Sequence, residues 1–229
     1  MTLNQSIRDT IEQLRDALPA DITAKIEIGA GEISALSIVE GARSAGQSAP
    51  DFALKDRSGE TKTLKSYLAD GLVILTFYRG AWCPYCNLQL RAYQDHLDAF
   101  RTRGAQLVAI TPETPNAIDD LLASDLPDGV IDDTAAKVEF DVLHDAGNTV
   151  ARQFGLVFDM PDSHKDVISG FGLDLEAING EGGWAVADPA TYILTPDGQI
   201  AWAFIPNNYR KRAEPEAILR ALDDINRSN

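Results

Sequence analysis

The stretch LTFYRGAWCPYC, from Leu75 to Cys86, decides how the rest of the chain is interpreted. An apolar run ends at Tyr78, a short turn follows, and Cys83 and Cys86 then stand three positions apart before a pattern of helical spacing. They are the only two cysteines among the 229 residues of the chain. The apolar run predicts a buried strand, and Pro84 suits the first position of a helix that follows it.

This arrangement predicts a particular chemistry for the two sulfurs. Cys83 falls at the expected start of the helix, where unpaired N–H groups and the helix dipole stabilise an anion and lower the pKa of a thiol. Arg79 lies four positions earlier and can add to that field. Cys86 lies one turn further on the same side of the helix, where it can close a disulfide with Cys83. We therefore expect a redox-active pair.

Two other roles for the cysteines compete with this one. A structural zinc site draws four ligands, and the chain offers no second cysteine pair, only the dispersed His96, His144 and His164. Free cysteines also pack as small apolar side chains with no chemistry of their own. Because cytosolic thiols are kept reduced, a pair at this spacing favours redox chemistry over a structural staple, and we predict no metal and no cofactor.

Composition narrows the classes of partner. The formal net charge is −15, so a polyanion such as nucleic acid or an anionic membrane surface would be repelled. The first residues show no basic region followed by an apolar core, so we predict no secretory signal. The longest apolar stretch, around Leu72 to Tyr78, is too short to cross a bilayer. These features predict a cytoplasmic protein that binds neither nucleic acid nor membrane.

Hydrophobic periodicity predicts an α/β fold with a mixed sheet. An N-terminal helical extension over residues 1–47, which we call the N-terminal arm, precedes a main domain over 48–229. An insertion with short helices is expected at about 155–188. The predicted elements are a helix over 3–18, a hairpin over 52–64, strands over 72–78, 105–111 and 140–147, helices over 84–103, 116–123 and 148–154, a hairpin over 190–205, and a last helix carrying Ile218, Leu219, Leu222 and Ile225.

Three segments carry a resemblance to a known family: APDFALKDRSGETKTLKSYLADGLVILTFYRGAWC, FDVLHDAGNTVARQFGL and PATYILTPDGQIAWAF. From Ser48 to Leu222 the chain resembles the redoxin branch of the thioredoxin superfamily, in particular the peroxiredoxin-like proteins grouped with alkyl hydroperoxide reductase and thiol-specific antioxidant. The resemblance implies a thioredoxin-like fold, with a mixed central sheet flanked by helices. It also implies a cis peptide before Pro189.

The resemblance leaves open which cysteine attacks. The family pattern Pro-x-x-x-Thr-x-x-Cys places its proline on Arg79, its threonine on Cys83 and its attacking cysteine on Cys86, and the family's later arginine, expected near Pro189, is missing. The Trp82-Cys83 pair is instead similar to thioredoxin, which implies an exposed nucleophile at Cys83 and a partly buried resolving thiol at Cys86. We favour Cys83, because a helix start is the position that stabilises a thiolate.

The function implied is that of a thiol-dependent peroxidase that reduces hydroperoxides through a Cys83–Cys86 disulfide. The alternative is a thiol–disulfide oxidoreductase acting on protein or small disulfides, since Pro-Tyr between the cysteines is similar to glutaredoxin. A redox-inactive binding module is the third class, which fully buried sulfurs with unshifted pKa would favour. Either enzyme needs an external thiol reductant, such as thioredoxin or glutathione with glutaredoxin.

The remaining site residues are assigned by position. Arg79 is the candidate cation that polarises a peroxide. Trp82, Pro84 and Tyr85 are expected to line or shield the site, together with Pro189 and Trp184. Redoxins of this kind are often dimers, and the N-terminal arm and the insertion are the expected contact surfaces of a homodimer.

Overall fold

The computed structural model describes residues 1–124, 126, 131 and 133–228. Its strands are β1 Ala53–Asp56, β2 Thr61–Thr63, β3 Leu72–Phe77, β4 Ala105–Thr111, β5 Asp141–His144, β6 Val157–Asp159, β7 Ala185–Ala187, β8 Thr191–Leu194 and β9 Ile200–Phe204. Its helices are α1 Leu3–Ala17, α2 Ala20–Ala35, α3 Ile38–Gly41, α4 Leu64–Ala69, α5 Pro84–Asp95, α6 Leu97–Arg101, α7 Ala117–Leu122, α8 Thr134–Lys137, α9 Thr149–Gln153, α10 Asp162–Gly170, α11 Leu175–Asn179 and α12 Pro215–Ser228.

Seven strands form one mixed sheet in the order β2-β1-β5-β4-β3-β8-β9. The β3, β4 and β5 strands run parallel, and the other neighbours in the sheet run antiparallel. The mixed central sheet predicted from the sequence is therefore confirmed. Because the parallel strands end at one edge, the turn after β3 and the segment after β4 meet there, which is where α/β folds place their sites.

The β3 strand lies inside the sheet between β4 and β8, and all of its residues are buried, as its continuous apolar sequence predicts. Successive side chains of a strand point to opposite faces. Ile74 accordingly joins the apolar cluster on the face covered by α1, α5 and α12, whereas Val73 and Leu75 join the cluster on the other face. A sheet covered on both faces holds the end of β3, and hence the start of the cysteine turn, in a fixed position.

The N-terminal arm packs against the chain's own C-terminal part. Thr2 caps α1 in a reciprocal capping box with Gln5, which explains why the helix begins at Leu3. Asn4 binds the carbonyl of Arg212 at 2.8 Å, and the Glu214 carboxylate accepts hydrogen bonds from the backbone N–H groups of Leu3 and Asn4. The second helix of the arm, α2, was not predicted, because its apolar residues follow no clear period.

The segment 155–188 contains the expected short helices, α10 and α11. It also contains β6 and β7, which pair antiparallel as a separate two-stranded sheet that the sequence did not predict. Asp174 caps α11 by accepting hydrogen bonds from two backbone N–H groups of its first turn. The α10 helix packs on α2, so this segment and the N-terminal arm lie side by side.

One predicted helix is interrupted. The single helix expected over 84–103 is divided into α5 and α6 at His96, whose backbone leaves the helical conformation. The ring of His96 lies 2.8 Å from the carbonyl of Ala92, and its backbone N–H is 3.2 Å from the carbonyl of Tyr93. These bonds satisfy two carbonyls at the end of α5 and close the helix there.

Candidate active site

The turn between β3 and α5 places both cysteines at a helix start. Cys83 is the N-cap residue of α5, with an extended backbone, and Pro84 occupies the first turn as predicted from its fixed φ. The backbone N–H groups of Cys86 and Asn87 donate to the carbonyl of Cys83 at 3.0 and 3.2 Å. Cys86 therefore lies in the first turn of the helix, directly above Cys83.

Both cysteines are free thiols with no exposed surface. The expectation of an exposed Cys83 and a partly buried Cys86 is therefore wrong. The reason is that the segment after β9 folds back over the turn, so the sulfurs share one apolar cluster with Trp82, Tyr85 and Tyr209. A helix start is open to solvent only where no other part of the chain covers it.

Each sulfur has a buried guanidinium of its own. Arg79 Nη2 donates to Cys83 Sγ at 3.3 Å, as its position in the sequence suggested. Arg212 Nη2 donates to Cys86 Sγ at 3.3 Å, from a position 126 residues away in the chain. Both arginines are almost completely buried, at 3% and 2% exposed, and a buried cation requires an anionic partner.

The pKa values of the two thiols are shifted in opposite directions. Burial alone would raise the pKa of Cys83, but the hydrogen bond from Cys86 and the charges of Arg79 and Arg212 outweigh it and hold that pKa well below its usual range. Burial, the hydrogen bond to Cys83 and the charge on Cys83 raise the pKa of Cys86 well above its usual range. Of the two thiols, Cys83 is therefore the one that ionises more readily, and it accepts a hydrogen bond from Cys86.

Two buried carboxyl groups complete the site, and the sequence pointed to neither. Glu113, after β4, accepts hydrogen bonds from Ala81 N at 2.8 Å and Thr111 Oγ1 at 3.1 Å. Burial raises the pKa of Glu113 to about 7, to which the negative charge on Cys83 contributes. Burial also raises the pKa of Asp188 to about 7, although the charges of Arg212 and Arg79 oppose the rise.

Aromatic side chains surround Arg79. Its guanidinium carbon lies 5.3 Å from the ring centroid of Trp82 and 4.1 Å from that of Tyr209, at cation–π distances. The rings of Tyr85 and Tyr209 lie 6.2 Å apart. Trp82 and Tyr85 thus lie in the same group of side chains as Arg79, while Pro84, the next residue after Cys83, is exposed.

Pro189 lies beside the end of β3 but in the other isomer from that expected. The carbonyl of the following residue, Ala190, accepts hydrogen bonds from Phe77 N at 2.9 Å and Thr76 Oγ1 at 3.2 Å. The prediction of a cis peptide before Pro189 is wrong, because all peptide bonds of the described residues are trans. A trans bond is the more stable isomer, and it carries the extended chain directly from β7 into β8.

Trp184 precedes β7 and packs against the same apolar cluster that contains Cys83 and Cys86. Its side chain is partly buried against the large apolar cluster, and its carbonyl accepts a hydrogen bond from Met160 N at 3.1 Å. His144 binds the carbonyl of Glu113 through Nδ1 at 2.8 Å, behind the turn. In the part of the chain that the structure describes, no group of three or more His, Cys, Asp and Glu side chains is arranged to hold a metal ion.

The mixed sheet and the cysteine pair at the start of the helix after its central strand define a redoxin with a thioredoxin-like fold. The model of the AhpC/TSA family matches residues 45–203, and the chain belongs to that family. The matched region runs from the end of the N-terminal arm to β9.

Curated relatives agree with this family. The chain is 32% identical to peroxiredoxin Q, chloroplastic, of Arabidopsis thaliana over 115 residues. These residues are 50% of this chain and 48% of that protein. The chain is 27% identical over 112 residues to peroxiredoxin Bcp of Escherichia coli strain K12, covering 49% of this chain and 64% of that protein. The chain thus spans about half the length of the chloroplastic relatives it matches.

Solved structures support the fold. Peroxidoxin BcpB from Mycobacterium tuberculosis superposes with a TM-score of 0.59 at 21% identity, covering 80% of this chain and 97% of that one. Xanthomonas campestris peroxiredoxin Q superposes with a TM-score of 0.55 at 17% identity, covering 79% and 98%. Among the described residues, the helices are all too short or too polar to cross a membrane.

Proposed function

We propose that this protein is a thiol-dependent peroxidase that reduces hydroperoxides through Cys83 and Cys86. The observation that carries the proposal is the hydrogen bond from Arg79 to the sulfur of Cys83 at 3.3 Å, in a site where Cys86 and two guanidiniums lower the pKa of Cys83. A thiolate is the nucleophilic form of cysteine, and a fixed guanidinium stabilises the negative charge that develops on a leaving oxygen. Family membership and the names of the curated relatives support the same activity.

The first step oxidises Cys83. Its sulfur attacks the terminal oxygen of the hydroperoxide, an S–O bond forms, and the O–O bond breaks with its electron pair on the alkoxide. The guanidiniums of Arg79 and Arg212 stabilise that alkoxide, and the proton of the Cys86 thiol converts it to the alcohol. Cys83 is left as a sulfenic acid beside a Cys86 thiolate.

The second step closes the disulfide. The Cys86 thiolate attacks the sulfur of the Cys83 sulfenic acid, an S–S bond forms, and hydroxide leaves and becomes water by taking one proton from solvent. An external dithiol then reduces the disulfide, and thioredoxin or glutathione with glutaredoxin supplies such thiols. A reducing compartment such as the cytoplasm maintains these reductants. Since the chain has no third cysteine, resolution uses Cys86.

The other proposed site residues act through these groups. Trp82 and Tyr85 cover the cysteines, Pro84 starts the helix, and Pro189 supports the end of β3. Trp184 remains a proposal for the outer wall of the site. A homodimer through the N-terminal arm or the insertion also remains a prediction, and both segments pack against other parts of this same chain.

A thiol–disulfide oxidoreductase is the second candidate, and the Trp-Cys-Pro-Tyr-Cys sequence favours it. Burial of both sulfurs favours peroxide instead, because a small peroxide needs far less space than a protein disulfide. The redox-inactive module is disfavoured, since the sulfurs are buried but the pKa values of both are shifted.

The test compares hydrogen peroxide consumption and insulin-disulfide reduction for the wild type, Cys83→Ser and Cys86→Ser, with dithiothreitol as reductant. We expect peroxide consumption by the wild type and none by Cys83→Ser. Cys86→Ser should form a Cys83 sulfenic acid that dimedone traps. Activity in Cys83→Ser but not in Cys86→Ser would assign the attack to Cys86, and turnover of insulin alone would favour the second candidate.

A further inference from the structure

Residues 205–214, which connect β9 to α12 and which we call the strap, contain no regular secondary structure and carry two of the groups around the cysteines. Arg212 of the strap binds the sulfur of Cys86. Tyr209 places its ring 4.1 Å from the guanidinium carbon of Arg79, and its carbonyl accepts a hydrogen bond from Arg212. One residue of the strap therefore contacts both guanidiniums that bind the two sulfurs.

The phenol of Tyr209 is bound by a histidine from the insertion. Nε2 of His164 in α10 lies 3.0 Å from the hydroxyl of Tyr209, and the two rings meet edge to face with centroids 5.6 Å apart. His164 is 6% exposed and Tyr209 2% exposed, so the bond between them is shielded from water. Burial, together with the charges of Arg79 and Arg210, lowers the pKa of His164 to about 4, so the imidazole is neutral at pH 7.

The strap has further polar anchors. Tyr93 of α5 donates from its hydroxyl to the carbonyl of Ala213 at 3.0 Å, and the other anchors lie on the N-terminal arm. Asn207 Nδ2 donates to the carbonyl of Ser34 at 3.1 Å, and Arg210 Nη1 donates to the Glu27 carboxylate at 3.0 Å. The backbone N–H of Arg212 donates to Asn4 Oδ1 at 3.0 Å. The bond between Tyr209 and His164 differs from the other anchors, because the side chain of Tyr209 also packs on the guanidinium of Arg79.

The buried sulfurs require an opening of the chain before a substrate reaches them. On the sheet side, an opening would break the ladder of β3 with β4 and β8, which belongs to the core. On the strap side, it would break side-chain hydrogen bonds of about 1 kcal/mol each, the Arg210–Glu27 ion pair and the buried contacts of Tyr209 and Arg212, but no strand ladder. Segments without regular secondary structure open at lower free energy than core strands.

We propose that the strap is the cover that opens to admit substrate to Cys83, and that His164 is a positioning residue that holds it closed through Tyr209. The proposal rests on the proposed role of Cys83 as the reactive thiol, and it does not depend on which oxidant is reduced. It gives the insertion a function within one chain, which is to set how often the site is accessible.

The test measures alkylation of the reduced, full-length protein by iodoacetamide across pH, with the modified sulfur located by fragmentation of the peptide 80–91. Two quantities are obtained: the limiting rate at high pH, which reports access, and the midpoint pH, which reports the thiolate. We expect Tyr209→Phe and His164→Leu each to raise the limiting rate about fivefold, as expected for loss of one hydrogen bond. The midpoint should not move in Tyr209→Phe, because its ring still lies on Arg79.

The matched control is Tyr67→Phe. It removes a hydroxyl of α4 that donates to Asp141 of β5, and neither residue belongs to the strap. It should leave the limiting rate unchanged. The double variant Tyr209→Phe/His164→Leu should be no faster than Tyr209→Phe, because Tyr209→Phe already removes the bond to His164, together with the longer bond that the hydroxyl accepts from Arg210 Nε at 3.4 Å. If His164→Leu does not fold, Tyr209→Phe decides the test.

Three results would overturn the proposal: an unchanged limiting rate in Tyr209→Phe, an equal acceleration in Tyr67→Phe, or a midpoint shift without a change in limiting rate. The first would place the opening elsewhere, the second would indicate general loosening, and the third would mean that Tyr209 acts on the thiolate. Alkylation needs no peroxide, so an inactive wild type in the peroxidase assay would contradict the proposed function and leave this test valid.

Discussion

Arg212 donates a hydrogen bond to the sulfur of Cys86 at 3.3 Å, although 126 positions separate the two residues in the sequence. The bond pairs the thiol of higher pKa with a cation of its own, while Arg79 serves Cys83 in the same way. A resting Cys86 is a thiol, but its proposed role in closing the disulfide requires a thiolate. Arg212 is placed to stabilise that thiolate when it forms.

We therefore expect Arg212→Gln to slow the second step more than the first. Hydrogen bonds to charged groups contribute about 1.5–3 kcal/mol, so the disulfide should form at least about tenfold more slowly. The Cys83 sulfenic acid should accumulate and be trapped by dimedone in rapid-quench experiments with hydrogen peroxide. Disulfide formation at the wild-type rate, with no accumulation of the sulfenic acid, would contradict this role of Arg212.

Arg79→Gln should give the opposite pattern. Loss of its hydrogen bond and charge raises the pKa of Cys83, so the rate of sulfenic acid formation at pH 7 should fall about tenfold or more. The rate should recover at higher pH, where Cys83 ionises without help. Arg101→Gln makes the same charge change on the surface and should stay within about twofold of wild type, because exposed charges interact weakly.

The fold was predictable where local pattern and burial agree. The continuous apolar run of β3 and the Pro-Asp-Gly turn between β8 and β9 are specified by neighbouring residues, so their positions follow from the sequence. The β6–β7 pair and α2 were not predictable in this way. The strands of the first are only three residues long, and the second is stabilised by packing on α10 and not by a clear apolar stripe.

The site was predictable only along one segment. The helix start at Cys83, the following proline and the nearby Arg79 belong to one short motif, whose residues are close in sequence and therefore close in space. Three other residues of the site lie more than 100 positions after Cys83 in the sequence: Asp188, Tyr209 and Arg212. No local pattern in the sequence assigns them to the site. The same long-range packing buries the sulfurs, which is why the expected exposure of Cys83 was wrong.

Glu113 should make the stability of the protein fall as the pH rises. Its pKa is raised from 4.5 to about 7 by burial, so the folded state holds a proton that the unfolded state has lost between these values. The associated stability is fully present below pH 4.5 and is lost as the pH rises through about 7, by on the order of 3 kcal/mol. Glu113→Gln, which is neutral throughout, should lose less stability between pH 5 and pH 8 in urea unfolding.

Asp188→Asn provides a comparison for this measurement. The pKa of Asp188 is raised in the same direction, to about 7, so this variant should also flatten the dependence on pH. Glu113 differs from Asp188 in that it also accepts a hydrogen bond from Ala81 N in the cysteine turn. Glu113→Ala should therefore loosen this turn, whereas Glu113→Gln can still accept that hydrogen bond. Identical changes in stability with pH for wild type and Glu113→Gln would show that Glu113 is ionised in the folded protein.

Gly29 of α2 tests the contact between the N-terminal arm and the insertion. A Cβ atom at this position would lie 1.8 Å from Nδ1 of His164, so Gly29→Ala must displace the imidazole. Gly31→Ala is the matched control in the same helix, since a Cβ there meets no atom within 4 Å. On helix propensity alone, either substitution would stabilise the protein by about 0.5–1 kcal/mol. We expect Gly31→Ala to raise Tm, and Gly29→Ala to lower Tm and to accelerate alkylation of Cys83. A higher Tm with unchanged alkylation in Gly29→Ala would show that the imidazole has room to move without releasing Tyr209.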